Sequence, residues 1–313
     1  MTNTGYESLR SDAAWIDLSA RGKIRVTGED RARLLHAMST QDVKNLAQGD
    51  GVYAFFLTAQ GRILADAYIY NMGDSLLLDT EPETGPKLFA HLDKYIIADD
   101  AELHDETGEW AAIGIEGPQS VGRAATFGIP VPEKSYSIAI WDNGFVARVS
   151  GSYPAGLRVF VPIDQKPELM ERLSSAGIPN ATAEDANIVR LENGIPRYGD
   201  DITERFLVQE TEVMHAVHSN KGCYLGQEIV ERVRSRAQVH RYLRALRIEG
   251  TVVPPPRTKL QAAGKDAAEI TSAVYSPALD EVAALAYVRT EALVNNPEFI
   301  LAGTEPPLRG RLA

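Results

Sequence analysis

Residues 63–70 constrain the fold most, because their side chains alternate with a period of two. Ile63, Ala65, Ala67 and Ile69 share one face, and Leu64, Asp66, Tyr68 and Tyr70 share the other. This pattern describes a β-strand with an apolar face turned to a core. A strand at Gly51 to Leu57 precedes it, joined by the turn Ala59-Gln60-Gly61-Arg62. Asn71-Met72-Gly73-Asp74 then turns into a third strand over Ser75 to Asp79, so the region reads as a β-meander.

The rest of the chain mixes elements without a regular βαβ rhythm. Further strands are expected at 24–26, 111–115, 145–149 and 157–161. Helices are expected over 30–38, 85–97, 119–127, 166–176, 183–193 and 227–236. From Tyr242 onward, short strands and turns surround Pro254-Pro255-Pro256, as in a small terminal β-domain. Irregular alternation argues for an α+β fold rather than a doubly wound sheet. A length of 313 residues gives material for two or three domains.

Composition narrows the function classes. The net charge of −11 disfavours broad nonspecific binding to nucleic acid. No apolar run approaches the roughly 20 residues that span a bilayer, and the first residues lack the features of a signal peptide, so a cytoplasmic protein off the membrane is expected. A single cysteine excludes an internal disulfide and cannot alone cage a metal. His215 and His218 lie three apart with no third ligand nearby, so no metal site is expected.

Three positions look chemical. Asp66 sits inside a strand, where Asp is disfavoured, beside Tyr68 and Tyr70. It marks either a wet polar face or a carboxylate between aromatic walls, suited to a flat polar ligand. Glu192 falls in the last turn of a helix that begins at a Thr182/Asp185 capping box and ends at Gly194. It lies along the stripe of Ile188 and Val189, where the helix dipole opposes it. Either a ligand with adjacent N–H donors or a cation such as Arg190 or Arg197 would explain it. Cys223 lies in Lys221-Gly222-Cys223-Tyr224-Leu225-Gly226-Gln227-Glu228, just before a helix. The thiol is either activated there or buried and inert. An arginine-rich stretch, with Arg232, Arg234, Arg236, Arg241, Arg244 and Arg247, reads as a solvated face or as an anion site.

Taken in order, several segments resemble the folate-binding superfamily of the glycine cleavage T-protein. They are Trp15-Ile16-Asp17-Leu18-Ser19, Ile24-Arg25-Val26-Thr27-Gly28, Met38-Ser39-Thr40-Gln41-Asp42-Val43, Gly61-Arg62-Ile63-Leu64-Ala65-Asp66, Arg190-Leu191-Glu192-Asn193-Gly194-Ile195-Pro196 and Tyr275-Ser276-Pro277. The cysteine form of the Lys221–Glu228 segment resembles the YgfZ branch of that superfamily.

The resemblance implies a three-domain cloverleaf with a C-terminal β-barrel. The first domain would be discontinuous, formed by 1–25 and 140–235. An α+β domain would be inserted at 26–139, and the barrel would occupy 236–313. It implies tetrahydrofolate, or a one-carbon derivative, as cofactor. Glu192 would hold the pterin, Asp66 would face the folate nitrogens, and Tyr53 and Tyr70 would line the site. Asp66 and Cys223 would be the catalytic groups. Ala65 replaces the first Asp of the T-protein pair, and 151–156 departs from its Gly-Tyr-Thr-Gly element. The expected function is support of iron–sulfur cluster assembly or repair, with folate and iron–sulfur client or assembly proteins as partners. The alternative is a folate-dependent aminomethyltransferase.

Overall fold

A computed structural model describes residues 4–236, 239–293, 298–301 and 307–313. The first part of the chain runs α1 (Thr4–Ser11), β1 (Ala14–Asp17), β2 (Gly22–Thr27), α2 (Arg31–Met38), β3 (Gly51–Leu57), β4 (Ile63–Asn71), β5 (Leu76–Thr80), α3 (Gly85–Asp93) and β6 (Glu102–Asp105). It continues with β7 (Trp110–Glu116), α4 (Ser120–Phe127), β8 (Ile138–Trp141), β9 (Gly144–Ala147), β10 (Gly156–Pro162), α5 (Lys166–Ser175), α6 (Ala183–Glu192), α7 (Val208–Thr211) and α8 (Gln227–Arg236). Strands β11 (Arg241–Glu249), β12 (Lys259–Ala262), β13 (Lys265–Ser276), β14 (Glu281–Arg289), β15 (Phe299–Leu301) and β16 (Leu308–Leu312) follow.

The architecture is α+β, as expected. One five-stranded sheet has the order β1-β7-β10-β9-β8, a second has the order β3-β4-β5-β2-β6, and β11-β14-β13-β12-β15-β16 close into a barrel. The meander of the sequence is β3-β4-β5. Sheet membership groups 110–116 and 138–141 with 144–162 and 14–17, and 22–27 with 51–105. These boundaries do not coincide with those expected at 25/26 and 139/140. Helix α3 stops at Asp93 rather than Ile97; Tyr95 and Ile96 still pack against the core, but from the turn that follows the helix, and Ile97 is exposed.

Each face of β4 has a partner. Ala65, Ala67 and Ile69 pack against Leu34, Leu35 and Met38 of α2 and Leu88 and Leu92 of α3. On the other face Tyr70 meets Phe145 of β9 and Phe160 of β10, so the two sheets are sealed by aromatic packing. Burial of such rings supplies most of the stabilisation at a sheet–sheet junction.

Helix α6 joins three parts of the molecule. Its capping box forms as the sequence suggests, with Thr182 Oγ1 accepting from the Asp185 amide and Asp185 accepting from the Thr182 amide. Beyond it, buried Asp201 ties the barrel to the body. Arg190 Nη1 donates to Asp201 Oδ2 at 2.5 Å, while Thr271 and Ser272 of β13 both donate to Oδ1 at 2.5 Å. The turn at Gly61 presses against the turn at Gly226. A Cβ on Gly226 would lie 2.6 Å from the Thr58 carbonyl oxygen and 3.3 Å from the Gly61 Cα. Both glycines have positive φ, 70° and 82°.

Candidate functional site

A cavity of about 420 Å³ opens where the two sheets, α6 and the 195–200 segment meet. Its walls include Asp66 and Tyr68 of β4, Tyr53 of β3, Arg21, Glu81, Arg158 of β10, Asn187 and Arg190 of α6, and Arg197. The β3–β4 register sets Tyr53 opposite Tyr68, so the Tyr53 hydroxyl reaches diagonally to Asp66. It donates to Asp66 Oδ2 at 2.5 Å. Oδ1 of the same carboxyl is buried and has no hydrogen-bond partner among the described residues. Burial, joined by the nearby Glu81 charge, pushes the Asp66 carboxyl up to about 7, with the Tyr53 hydrogen bond acting in the opposite direction.

Beneath Tyr68 lies a charged floor that the sequence reading missed. Asp79 of β5 takes Arg21 Nε at 2.6 Å and is also paired with Arg158. Glu81 is shared by Arg21 and Arg197, the latter at 2.9 Å. Burial works to raise Asp79 and Glu81, but the flanking guanidiniums overcome it and hold both below their ordinary values. Arg158 and Arg21 also stack over the Tyr68 ring, at 5.2 and 5.9 Å from its centre. Arg158 Nε is buried without a partner among the described residues. The signal was present in the sequence: Arg158 interrupts the apolar run of β10, and a charge in such a place requires partners.

The 150–156 loop closes another wall. Glu116 ends β7 and accepts from the Gly151 amide at 2.9 Å, from the Ser152 amide at 2.7 Å and from the Ser152 hydroxyl. The loop therefore grips a protein carboxylate.

A second chamber of about 320 Å³ shares Tyr53, Tyr68, Ser150, Ile195 and Pro196 with the first. It is lined further by Tyr136, Arg148, Tyr153 and His215. Tyr136 has φ 67°, a conformation uncommon for an aromatic residue.

The sequence-predicted residues separate into those at the cavity and those away from it. Asp66 and Tyr53 meet in the wall. Tyr70 does not line the cavity: it is fully buried, with its hydroxyl 3.5 Å from Asp79 Oδ2, and serves the sheet–sheet core. Glu192 also lies outside the cavity wall, and the expectation that it faces a space shared with Asp66 is corrected. Helix α6 turns Ala183, Ala186, Asn187 and Arg190 to the cavity and Glu192 to another side. There Glu192 accepts from Tyr6, from Arg10 Nε at 2.8 Å and from Ser276 Oγ at 2.5 Å. These donors lie on α1 and β13, so a cation does explain Glu192, though it is neither Arg190 nor Arg197.

Cys223 is exposed and is not part of either chamber's lining. Lys221 turns from it, donating to the Ser39 carbonyl at 2.8 Å and to the His36 carbonyl. Three arginines of the arginine-rich stretch are engaged away from the cavity: Arg241 pairs with Glu210, Arg244 with Glu212, and Arg247 donates to the Glu192 carbonyl. Among the described residues no group of three His, Cys, Asp or Glu could hold a metal ion, and no helix is long and apolar enough to cross a membrane.

Residues 1–129 match the family model of the GCVT N-terminal domain. An aminomethyltransferase of Rubrobacter xylanophilus is 28% identical over 91% of this chain and 78% of its own. An aminomethyltransferase of Rippkaea orientalis is 26% identical over 90% of this chain and 80% of its own. The glycine cleavage system aminomethyltransferase T from Bartonella henselae superposes with a TM-score of 0.88 at 20% identity, over 98% of this chain and 87% of that one. That likeness establishes the fold as the T-protein type with its C-terminal barrel. The GCVT match and the aminomethyltransferase relatives together support a likeness to the glycine cleavage T-protein superfamily.

Proposed function

We propose that the larger cavity binds a reduced folate and that the protein is a tetrahydrofolate-dependent aminomethyltransferase of the T-protein type. The observation that carries this reading is the unpartnered Asp66 Oδ1, buried in a tyrosine-walled cavity. The donor set fits a reduced pterin-type cofactor. An orphaned acceptor invites an N–H group, Tyr53 and Tyr68 offer flat walls, and Arg158 holds a spare donor.

Tetrahydrofolate, when bound, supplies the nitrogens that carry a one-carbon unit. Asp66 then holds or accepts a proton at Oδ1, and a carboxyl poised at about 7 can do either near neutral pH. Tyr53 fixes the carboxyl rotamer through Oδ2 and leaves Oδ1 free. The ionised carboxylate also stabilises positive charge that develops beside it. The aminomethyltransferase relatives favour this reading. The test supplies an aminomethylated lipoyl carrier protein and tetrahydrofolate and follows methylenetetrahydrofolate. Turnover that falls about a hundred-fold or more in Asp66→Asn supports the reading. Equal turnover in both proteins removes Asp66 from the chemistry.

A second reading rests on the exposed thiol of Cys223. In it the protein is a folate-binding YgfZ-like factor that supports iron–sulfur cluster assembly or repair, and Cys223 meets client or assembly proteins at the surface. A deletion strain assayed for cluster-dependent enzymes and complemented with Cys223→Ser decides this. Full complementation by the serine variant removes the thiol from the function.

A further inference from the structure

Three carboxyls share one face of the second sheet. Tyr68 of β4 and Lys23 of β2 are both paired with Asp79 of β5. The same register carried two residues further sets Glu81 between Asp66 of β4 and Arg21. Two contacts fix this row. The Thr80 hydroxyl donates to the Asp66 carbonyl, and Arg21 Nη1 donates to Glu81. Asp66 and Glu81 are therefore cross-strand neighbours, and both line the larger cavity. Like charges so placed repel, and the repulsion is relieved when one of the two keeps a proton.

The cations decide which one. Asp79 has Arg21 and Arg158, and Glu81 has Arg21 and Arg197. Asp66 has no ion pair among the described residues, only the Tyr53 hydroxyl on Oδ2. Taking Asp66 as the group that handles the proton, as in the proposed function, we infer that Glu81 is a positioning residue: clamped as a permanent anion by Arg21 and Arg197, it makes Asp66 the proton-carrying member of a cross-strand carboxyl pair. Because Tyr53 occupies Oδ2, the proton sits on Oδ1, the oxygen without a partner. Electrostatics run the same way. Burial and then the Glu81 charge raise Asp66, whereas the guanidiniums hold Glu81 itself low against burial.

Other charged groups on the cavity wall have partners of their own. Arg158 is given to Asp79, Arg190 to Asp201, and Asp17 pairs with Lys166. Glu116 accepts from the Gly151 and Ser152 amides, and Asp200 pairs with Arg197. Of the phenols, Tyr198 donates to the Ile63 carbonyl at 3.2 Å and to the Leu64 carbonyl, and the Tyr68 ring lies under Arg158 and Arg21. Lys23, in the next row, donates to the Ser19 and Arg21 carbonyls at 2.8 Å each.

The test needs no folate. Carbon-13 NMR of labelled aspartate carboxyls follows Asp66 across pH 4 to 9 in the full-length protein, and Asp66→Asn identifies its signal. Glu81→Gln should lower the Asp66 midpoint by about one pH unit or more, a ten-fold change in its acid constant. Arg197→Gln breaks the same Glu81–Arg197 pair but removes a positive charge, so there the midpoint should rise. Loosening of the site alone would admit water and lower the midpoint in both variants. A midpoint unmoved in Glu81→Gln, or lowered in both, would overturn the inference. If Glu81→Gln does not fold, Arg197→Gln decides: a rise upholds the role of Glu81, and a fall or no change overturns it. Turnover of the aminomethylated carrier with tetrahydrofolate, measured over the same range, keeps the folate reading separate. Its acid limb should move to lower pH in Glu81→Gln, and a limb that stays while the NMR midpoint moves counts against the folate reading alone.

Discussion

The Tyr53 hydroxyl donates to one oxygen of Asp66 at 2.5 Å and leaves the other oxygen buried without a partner among the described residues. A half-satisfied buried carboxyl costs stability, because its charged form is desolvated and only partly repaid.

The cost of Asp66 depends on pH. Its folded value of about 7 lies above the ordinary 3.8. Stability from this group is fully present below pH 3.8 and is lost as pH rises through 7, because the unfolded chain releases the proton first. Asp66→Asn should therefore raise the melting temperature at pH 8, by an amount equivalent to at most about 4 kcal/mol, and lose that gain near pH 4. Thermal melts of both proteins across this range check the sign.

Tyr53→Phe removes the hydrogen bond that lowers Asp66. The carboxyl should then titrate higher, and the acid limb of the activity profile should move to higher pH. Turnover measured from pH 5 to 9 reads this directly. An unmoved limb would mean that the hydroxyl does not set the charge of Asp66.

Glu192→Ala should leave tetrahydrofolate affinity within about two-fold of wild type. It should cost about 2–3 kcal/mol in stability, since the carboxylate holds Tyr6, Arg10 and Ser276 together. Calorimetric titration and urea unfolding of the same variant separate the two effects. A large loss of affinity with unchanged stability would return Glu192 to the ligand.

Asp201→Ala takes from buried Arg190 its buried carboxylate, leaving it Asn187, the Ile195 carbonyl and half-exposed Asp200, and removes an acceptor shared by two hydroxyls of β13. A loss of about 3–5 kcal/mol is expected. Limited proteolysis should then cut between α6 and the barrel before the melting transition, whereas wild type resists.

Local pattern made much of this legible. The alternation of β4 placed Asp66 and Tyr68 on one face, the capping box fixed the start of α6, and the periodicity from 227 onward matched the start of α8. The failures concern partners distant in sequence. Glu192 breaks two local rules, and the donors that reconcile it lie 186, 182 and 84 residues away. Tyr70 follows the same alternation as Asp66, yet Phe145 and Phe160 cover it, which no period of two reveals. Tyr136 lies in a loop without a pattern of its own, and only the close approach of Gly51 explains how its ring arrives.

The contact between the turns at Gly61 and Gly226 links two features that chemistry would otherwise treat separately. One turn carries the hairpin of Tyr53 and Asp66, and the other closes the segment of Cys223. With no side chain as a cushion, the two backbones are geared together, and a displacement of the surface thiol segment by a docking protein would be felt in the hairpin that holds the buried carboxyl.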